Sequence, residues 1–226
     1  MTPFYYFFTS DYEFWNVHLQ HTLFNQFDVR PLKIDDLPLS DANLTGHHFV
    51  NCTTKIELII DCIEKNREKH IVFTDCTIFV DLKNAPHLSD YISQYFDNDM
   101  TFIYYKQDKR NIAIILLDCN ENVLAFWKDV LRRMKKTISQ GHNVWDQGVV
   151  NEMLDGEYSS LKCGYFDDKI WIGGQIPKGT PFYFYKATCD PKCDRQVARL
   201  TYLYNSELLS ESCYNFWVNY RVDHSL

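Results

Sequence analysis

The sequence predicts an α/β fold: one domain over residues 1–226, with a mixed, mostly parallel central sheet flanked by helices. Three observations carry this. Short apolar runs of strand length alternate with segments whose apolar residues recur every three or four positions. The helical segments between runs are long enough to cross over between parallel strands. In 226 residues, 46% are apolar and 16% aromatic, a core that needs no disulfide or metal to hold it.

Residues 3–9, PFYYFFT, form an apolar run closed by Ser10 and Asp11 and are expected to be a buried first strand. Phe14, Trp15, Leu19, Leu23 and Phe24 then recur at helical spacing, and Phe27 to Ile34 follows as a second strand. Residues 35–52 carry Pro, Gly, Asn and Asp and are expected to be a long loop. A helix is expected from Thr53, capped by Thr53 or Thr54, with Ile56, Ile59, Ile60 and Ile63 on one face. Residues 71–81, IVFTDCTIFVD, are the next expected strand, with an apolar first half that ends at Asp75. Leu88, Tyr91, Ile92, Tyr95 and Phe96 form another helical stripe, and 101–106 and 111–118 are strands. Val123 to Met134 is a helix whose last turn carries Lys and Arg, favourable to its dipole. A short helix around Trp145 to Leu154, strands at 169–174 and 181–188, and a helix from Gln196 to Leu209 complete the chain. There is no internal repeat and no low-complexity tract.

Charge and cysteines exclude several classes. Lys and Arg number 23 against 30 Asp and Glu, a net charge of −7, which disfavours a general nucleic-acid binder. The longest aliphatic run, Ile112 to Leu117, is too short to span a bilayer. The start, MTPFYYFFTSDY, has no basic residue ahead of its apolar run, so it is expected to be a strand and not a signal peptide. Eight cysteines are scattered without a CxxC pair. Cys189 and Cys193 form a CxxxC without His at ligand spacing, either two loop thiols or a zinc pair. The expectation is a reduced, cytoplasmic protein. TSDYEF after the first strand has no Gly, against a dinucleotide or methyl-donor enzyme. With only 8 Gly and many Asn, Asp, Ile, Phe and Tyr, the composition is that of AT-rich genomes, large DNA viruses among them, for which the compartment would be the host cytoplasm.

Ligands of such sheets bind beyond the carboxyl ends of the strands. There stand Thr9-Ser10-Asp11-Tyr12 and, after Ile71-Val72-Phe73, Asp75. A carboxylate at that point is costly unless solvated, paired or metal-bound. Asp75 is therefore either a turn residue or part of a site. Asp146, after GHNVW, is either a helix N-cap or a site acid, and His142 is a surface loop residue. Lys186 interrupts the aromatic run Phe182-Tyr183-Phe184-Tyr185; it either snorkels out from an edge strand or meets an anion.

The order of these segments resembles the GT-A nucleotide-diphospho-sugar glycosyltransferases, in the glycogenin-like and galactosyltransferase-like branch with its plant and viral relatives. TSDY (9–12) is similar to the segment that cradles the base. Thr54-Lys55-Ile56 resembles the Thr-Lys-Leu that opens a helix before the metal strand, and VFTDCTIFVD resembles that strand with all but the second Asp of its DxD. NIAIILLD is similar to a strand that begins Asn-x-Gly, with Asn111 kept to face the donor sugar and Ala113 in place of Gly. WDQGVVN matches, at Asp146, Gln147 and Asn151, the element whose acid and amide hold the transferred sugar. FYKAT (184–188) resembles the late strand that carries the last metal ligand, with Lys186 where a His is usual and Lys192 or Arg195 downstream. The resemblance runs from about residue 3 to about residue 200. It implies a nucleotide-binding half (about 1–100), a sugar and acceptor half (about 101–226), a UDP- or GDP-linked donor and a glycan or glycoprotein acceptor.

Two departures bear on mechanism. The DxD has become Asp75-Cys76-Thr77, and the His has become Lys186. In a Mn- or Mg-dependent form Asp75 and Thr77 would be ligands. In a metal-free form Lys186, with Lys55 and Arg195, would offset the charge of the leaving diphosphate. Asp146 and Lys186 are then the expected catalytic residues, and Thr9, Asp11, Tyr12, Lys55, Asp75, Asn111 and Gln147 the expected donor-binding set. The alternative is a catalytically inactive relative that binds a nucleotide sugar or serves as a scaffold. The C-terminal aromatics Tyr202, Tyr204, Tyr214, Trp217 and Tyr220 line an acceptor groove or pack as a terminal segment.

Overall fold

The computed structural model describes residues 1–34, 44–81, 85–105, 109–172 and 183–186, together with positions 205, 214, 215 and 219. The described residues form nine strands: β1 (Pro3–Phe8), β2 (Asp28–Lys33), β3 (His70–Asp75), β4 (Ile78–Val80), β5 (Met100–Tyr105), β6 (Lys109–Asp118), β7 (Cys163–Tyr165), β8 (Ile170–Ile172) and β9 (Phe184–Lys186). They also form five α-helices: α1 (Glu13–Leu23), α2 (Leu44–Lys65), α3 (Leu88–Ser93), α4 (Glu121–Ser139) and α5 (Asp146–Asp155). The larger sheet runs β2-β1-β3-β6-β5-β7 and the smaller β4-β9-β8. This is the α/β class the sequence predicts. No described helix is long and apolar enough to cross a membrane.

The chain divides into two compact units. The first holds Met1–Asp35, Asp75–Tyr91 and Asp167–Leu226. In it β1 pairs in parallel with β2, Pro3 opposite Asp28, and α1 makes the crossover. Trp15, His18, Leu19 and Leu23 lie on one stripe of α1 and are fully buried. Trp15 meets Phe79 of β4 edge to face at 4.5 Å, and Phe4 of β1 meets Phe27 at 5.2 Å. Tyr6 donates its hydroxyl to Asn16 Oδ1 at 2.7 Å, which gives a buried phenol its partner. In the smaller sheet β9 lies antiparallel to β4 and parallel to β8.

The second unit holds Asp36–Thr74 and Ile92–Phe166. β6 is antiparallel to both β3 and β5, and β7 is parallel to β5, so β3, β5 and β7 share one direction. Residues Ile112 to Leu117 of β6 are buried without alternation, as a strand covered on both faces requires. Asn120 caps α4 by accepting the Val123 N–H at 2.9 Å. Val123, Phe126, Trp127, Val130 and Met134 bury its apolar stripe. α4 packs on α2, and two ion pairs join them, Lys135 to Glu57 at 2.7 Å and Lys128 to Glu64 at 2.6 Å.

Three expectations are corrected. The helix expected from Thr53 begins at Leu44, so Thr53 and Thr54 lie inside α2 and cap nothing, and the expected loop loses residues 44–52. Gly46 costs about 1 kcal/mol in a helix, which hid the helical pattern there. The single strand expected over 71–81 breaks at Cys76-Thr77, where the Ile78 N–H turns back to the Cys76 carbonyl at 2.7 Å, and its halves belong to different sheets. β7 went unread because Cys-Gly-Tyr is too short to show a period. Cys189, Lys192, Cys193, Arg195, the helix expected over 196–209 apart from position 205, Tyr202, Tyr204, Trp217 and Tyr220 lie outside the described residues.

Two predictions follow from packing. A Cβ on Gly164 would run into Asn98 Nδ2, and Asn98 donates that amide to Thr101 Oγ1 at 3.1 Å. Gly164→Ala should destabilise by about 1–3 kcal/mol in urea unfolding; an unchanged midpoint would show that Asn98 can leave at no cost. His18 is fully buried, and its Nε2 accepts the Val80 N–H at 3.2 Å. Burial, with His21 nearby, pulls its pKa from 6.5 down to about 3. The unfolded chain therefore takes up this proton first. The neutral imidazole's contribution is complete above pH 6.5 and is lost as the pH falls toward 3, worth roughly 4–5 kcal/mol across the window. Urea unfolding between pH 7 and pH 4 should lose stability less steeply in His18→Gln; equal slopes would remove His18 from the account.

Candidate functional site

In the first unit the site residues stand where strands stop. β1 ends at Phe8, and Thr9 is still extended, at φ −105°. Ser10 to Tyr12 then form a single 3₁₀ turn closed by the Tyr12 N–H to the Thr9 carbonyl at 2.9 Å. Asp11 lies at the centre of that turn, immediately before α1. Asp75 ends β3 half-buried, while Cys76 and Thr77 are buried. The tight turn at Cys76 sends the chain into β4, and β4 pairs with β9 so that Ile78 stands directly opposite Lys186. Directly opposed Cα atoms in an antiparallel pair are about 4.5–5.5 Å apart. The backbone thus sets the only strand lysine of FYFYK beside the end of the Asp75-Cys76-Thr77 turn.

In the second unit the site residues surround a stretch of β6 whose backbone is satisfied by side chains. Asn151 of α5 donates to the Arg110 carbonyl at 2.9 Å and accepts the Arg110 N–H at 2.8 Å. Lys55 of α2, 6% exposed, donates Nζ to the Ile112 carbonyl at 2.7 Å. Asn111 Oδ1 accepts the Ala113 N–H at 2.9 Å, and Thr74 Oγ1 donates to the Ala113 carbonyl at 2.8 Å. The β5–β6 register shifts between Phe102 and Ile103, which leaves Ile112 and Ala113 without an opposite residue on β5, while Arg110 stays opposite Tyr104.

Asp146 opens α5. The capping position belongs to Trp145, which makes no side-chain cap bond and is 59% exposed. Asp146 is instead the first helical residue, 9% exposed, and its Oδ1 accepts the Gln147 N–H at 2.8 Å. A carboxylate there is favoured by the helix dipole and by exposed amides of the first turn. Asn151, one turn on, also donates to the Gln147 carbonyl at 2.8 Å, so the first turn of α5 is tied to β6. Burial, with the Asp146 carboxylate near it, pushes the Cys52 thiol of α2 up to about 12.

Lys55, Asn111, Asp146 and Gln147 are thus built into the second unit, and Thr9, Asp11, Tyr12, Asp75, Thr77 and Lys186 into the first. Cys52 and Arg110 were not anticipated from the sequence. Cys52 stands one turn before Lys55 on α2, a neighbourhood that appears only once the helix starts before Thr53. Arg110 pairs with Asp155 at 2.7 Å and lends its backbone to Asn151, which no spacing shows.

A family model described as nucleotide-diphospho-sugar transferase matches residues 52–196, well over half of the chain. No curated protein sequence matches it. Among solved structures, a glycosyltransferase involved in glycosylation of the major capsid of PBCV-1 is similar with TM-score 0.58 and 10% identity, covering 88% of this chain and 100% of that one. The galactosyltransferase LgtC, solved with donor and acceptor sugar analogs, is similar with TM-score 0.56 and 8% identity, covering 92% of this chain and 96% of that one. At such identities these two show a shared fold, the GT-A fold, and the family match carries the assignment: the chain belongs to the nucleotide-diphospho-sugar transferase family.

Proposed function

We propose that this chain transfers a sugar from a UDP- or GDP-linked donor to a hydroxyl of a glycan or glycoprotein acceptor, with Lys186 supplying the positive charge that balances the leaving diphosphate. The register of β4 against β9 carries the proposal: it sets Lys186 opposite Ile78, directly after Asp75-Cys76-Thr77.

A Mn²⁺ or Mg²⁺ takes about six hard oxygen ligands, in which carboxylates are the anionic members. The Asp75–Thr77 turn offers one carboxylate, a buried thiol and a neutral hydroxyl, and Lys186 brings a cation of its own. Among the described residues no three of His, Cys, Asp and Glu gather at ligand range. That donor set does not fit a resident divalent cation, and no step below runs through one.

The acceptor oxygen bonds to the anomeric carbon as the bond from that carbon to the donor diphosphate breaks. The hydroxyl proton passes to water, and the nucleoside diphosphate departs with the electron pair. The charge of Lys186 offsets the charge that grows on the diphosphate, where a cation counts most. Thr9, Asp11 and Tyr12 hold the nucleoside. Asp146 binds hydroxyls of the transferred sugar and faces the positive charge that develops at its anomeric carbon, with Asn111 and Gln147 beside it. Positioning of donor and acceptor supplies the rest of the rate.

Cys76 and Thr77 in place of the second acid favour one other reading, a relative that binds nucleotide sugars without transferring them. Thermal unfolding with UDP, GDP and their sugars, each with Mn²⁺ or with EDTA, separates the two when paired with a turnover assay. At a hundredfold excess over Kd a ligand adds about 2.7 kcal/mol, which raises Tm by about 5–10 °C in a chain of this size. The expected result is a rise with one nucleotide class, the same in Mn²⁺ and EDTA, with sugar released or transferred. Lys186→Ala should lower turnover by about 10²–10³-fold. A rise that requires Mn²⁺ would overturn the metal-free mechanism, and a rise without turnover would favour the binding reading. Asp146→Asn should keep the rise with the free nucleotide and lose turnover; unchanged turnover would remove Asp146 from the site.

A further inference from the structure

In the second unit two tyrosines meet at the carboxyl ends of parallel strands, the edge of an α/β sheet where ligands bind. Tyr165 ends β7 opposite Phe102 of β5, and Tyr104 stands two residues beyond Phe102. Their rings meet edge to face, 5.6 Å apart at 77°. Such a pair forms a corner, and with Tyr104 54% exposed the corner opens to solvent. Tyr91 and Tyr183 of the first unit show the closed arrangement: they stack at 4.2 Å, Tyr91 is buried, and Lys169 lies 5.6 and 5.7 Å from the ring centres. Arg110 of β6 is directly opposite Tyr104 in the antiparallel pair, so its side chain leaves the sheet on the same face. It gives one Nη to Asp155 at 2.7 Å, and its buried Nε has no hydrogen-bond partner among the described residues. A guanidinium has more N–H donors than one carboxylate contact uses. Asn151 holds both the N–H and the carbonyl of Arg110, and it also holds the Gln147 carbonyl. The corner is thus joined through one residue to the turn of α5 that carries Asp146.

We propose that Tyr104, Tyr165 and Arg110 hold a pyranose ring of the acceptor, its C–H face against the phenol rings and a hydroxyl on the guanidinium. This rests on the transferase reading above. A pyranose has two chemical sides, faces made of C–H groups and a rim of hydroxyls. An aromatic ring suits the first, and a planar fork of N–H donors suits the second. An aliphatic chain would cover the rings and leave the guanidinium donors unused. An anion would have to displace Asp155, which already pairs with Arg110. A sugar ring meets both parts of the corner without disturbing that pair.

The test follows the methyl pyranosides of glucose, galactose, mannose and xylose by saturation-transfer NMR on the full chain. At least one of them should take up saturation at its ring C–H protons. That glycoside should bind about tenfold more weakly to Tyr104→Ala and keep its affinity in Tyr104→Phe, which retains the ring. No binding by any of these glycosides, or equal binding to wild type and Tyr104→Ala, would overturn the proposal. Nucleotide sugars decide which sugar occupies the corner. The extra affinity of a UDP- or GDP-sugar over the free nucleotide should be the same in wild type and Tyr104→Ala. Its loss in the variant would place the donor's sugar there and overturn the acceptor assignment. In the turnover assay Tyr104→Ala should raise the acceptor KM by about tenfold with kcat nearly kept. A protein that binds the glycoside through Tyr104 and transfers no sugar would count against the transferase reading and leave the sugar site standing.

Discussion

A buried backbone amide or carbonyl must find a partner, and where a sheet cannot provide one a side chain has to. Between Arg110 and Ala113 this constraint organises the second unit. Asn151, Lys55, Asn111 and Thr74 supply bonds that a regular strand ladder would otherwise supply. Each comes from a different place, α5, α2, β6 itself and β3. The bulge in the β5–β6 pairing and the anchoring of two helices are thus one arrangement. Lys55 shows the cost involved: an ammonium that is 6% exposed is tolerated because its proton has a carbonyl to go to. Residues that the family resemblance marks for donor binding are here also the residues that hold the strand. A side chain can serve a ligand accurately when its own rotamer is already fixed by such bonds.

Much of the fold was legible because it is written in period. Trp15, Leu19 and Leu23 mark α1, the unbroken Ile112 to Leu117 marks a strand covered on both faces, and Leu124, Trp127 and Met134 mark α4. What escaped was aperiodic. Gly46 and its polar neighbours concealed the first turns of α2. The break at Cys76 was concealed by the apolar character of cysteine, which let IVFTDCTIFVD pass for one strand. Asp146 was legible as a residue at a helix start but not as the first helical residue, since the cap position fell to an exposed tryptophan with no capping group. The partner of Lys186 could not be read at all: a strand sequence shows that it pairs, and register with β4 is decided by tertiary structure.

The fold and the chemistry rest on different grounds. Structures alike in fold at 8% and 10% identity share a sheet and its helices, and a site is built separately on them. In this chain the turn after β3 has one carboxylate where relatives of the resemblance carry two, and a strand lysine stands in register beside it. Both changes move charge in the same direction, away from an acidic cluster and toward a fixed cation. A single altered residue would read as decay; two that shift the charge the same way favour a site that still meets an anion.

The ion pairs between α2 and α4 have a consequence for how the chain finds this arrangement. Glu57 and Glu64 are seven residues apart on one helix, and Lys128 and Lys135 seven apart on the other, paired in opposite order. Exposed pairs of this kind add little stability. Their value is in alignment. With acids on one helix and bases on the other, the antiparallel pair satisfies both charges at one offset only, and a slide of one heptad leaves a charge at each end without its counterpart. The apolar stripe of α4 would accept several such offsets. The charges select among them, and with that choice comes the position of Cys52 and Lys55 over β6.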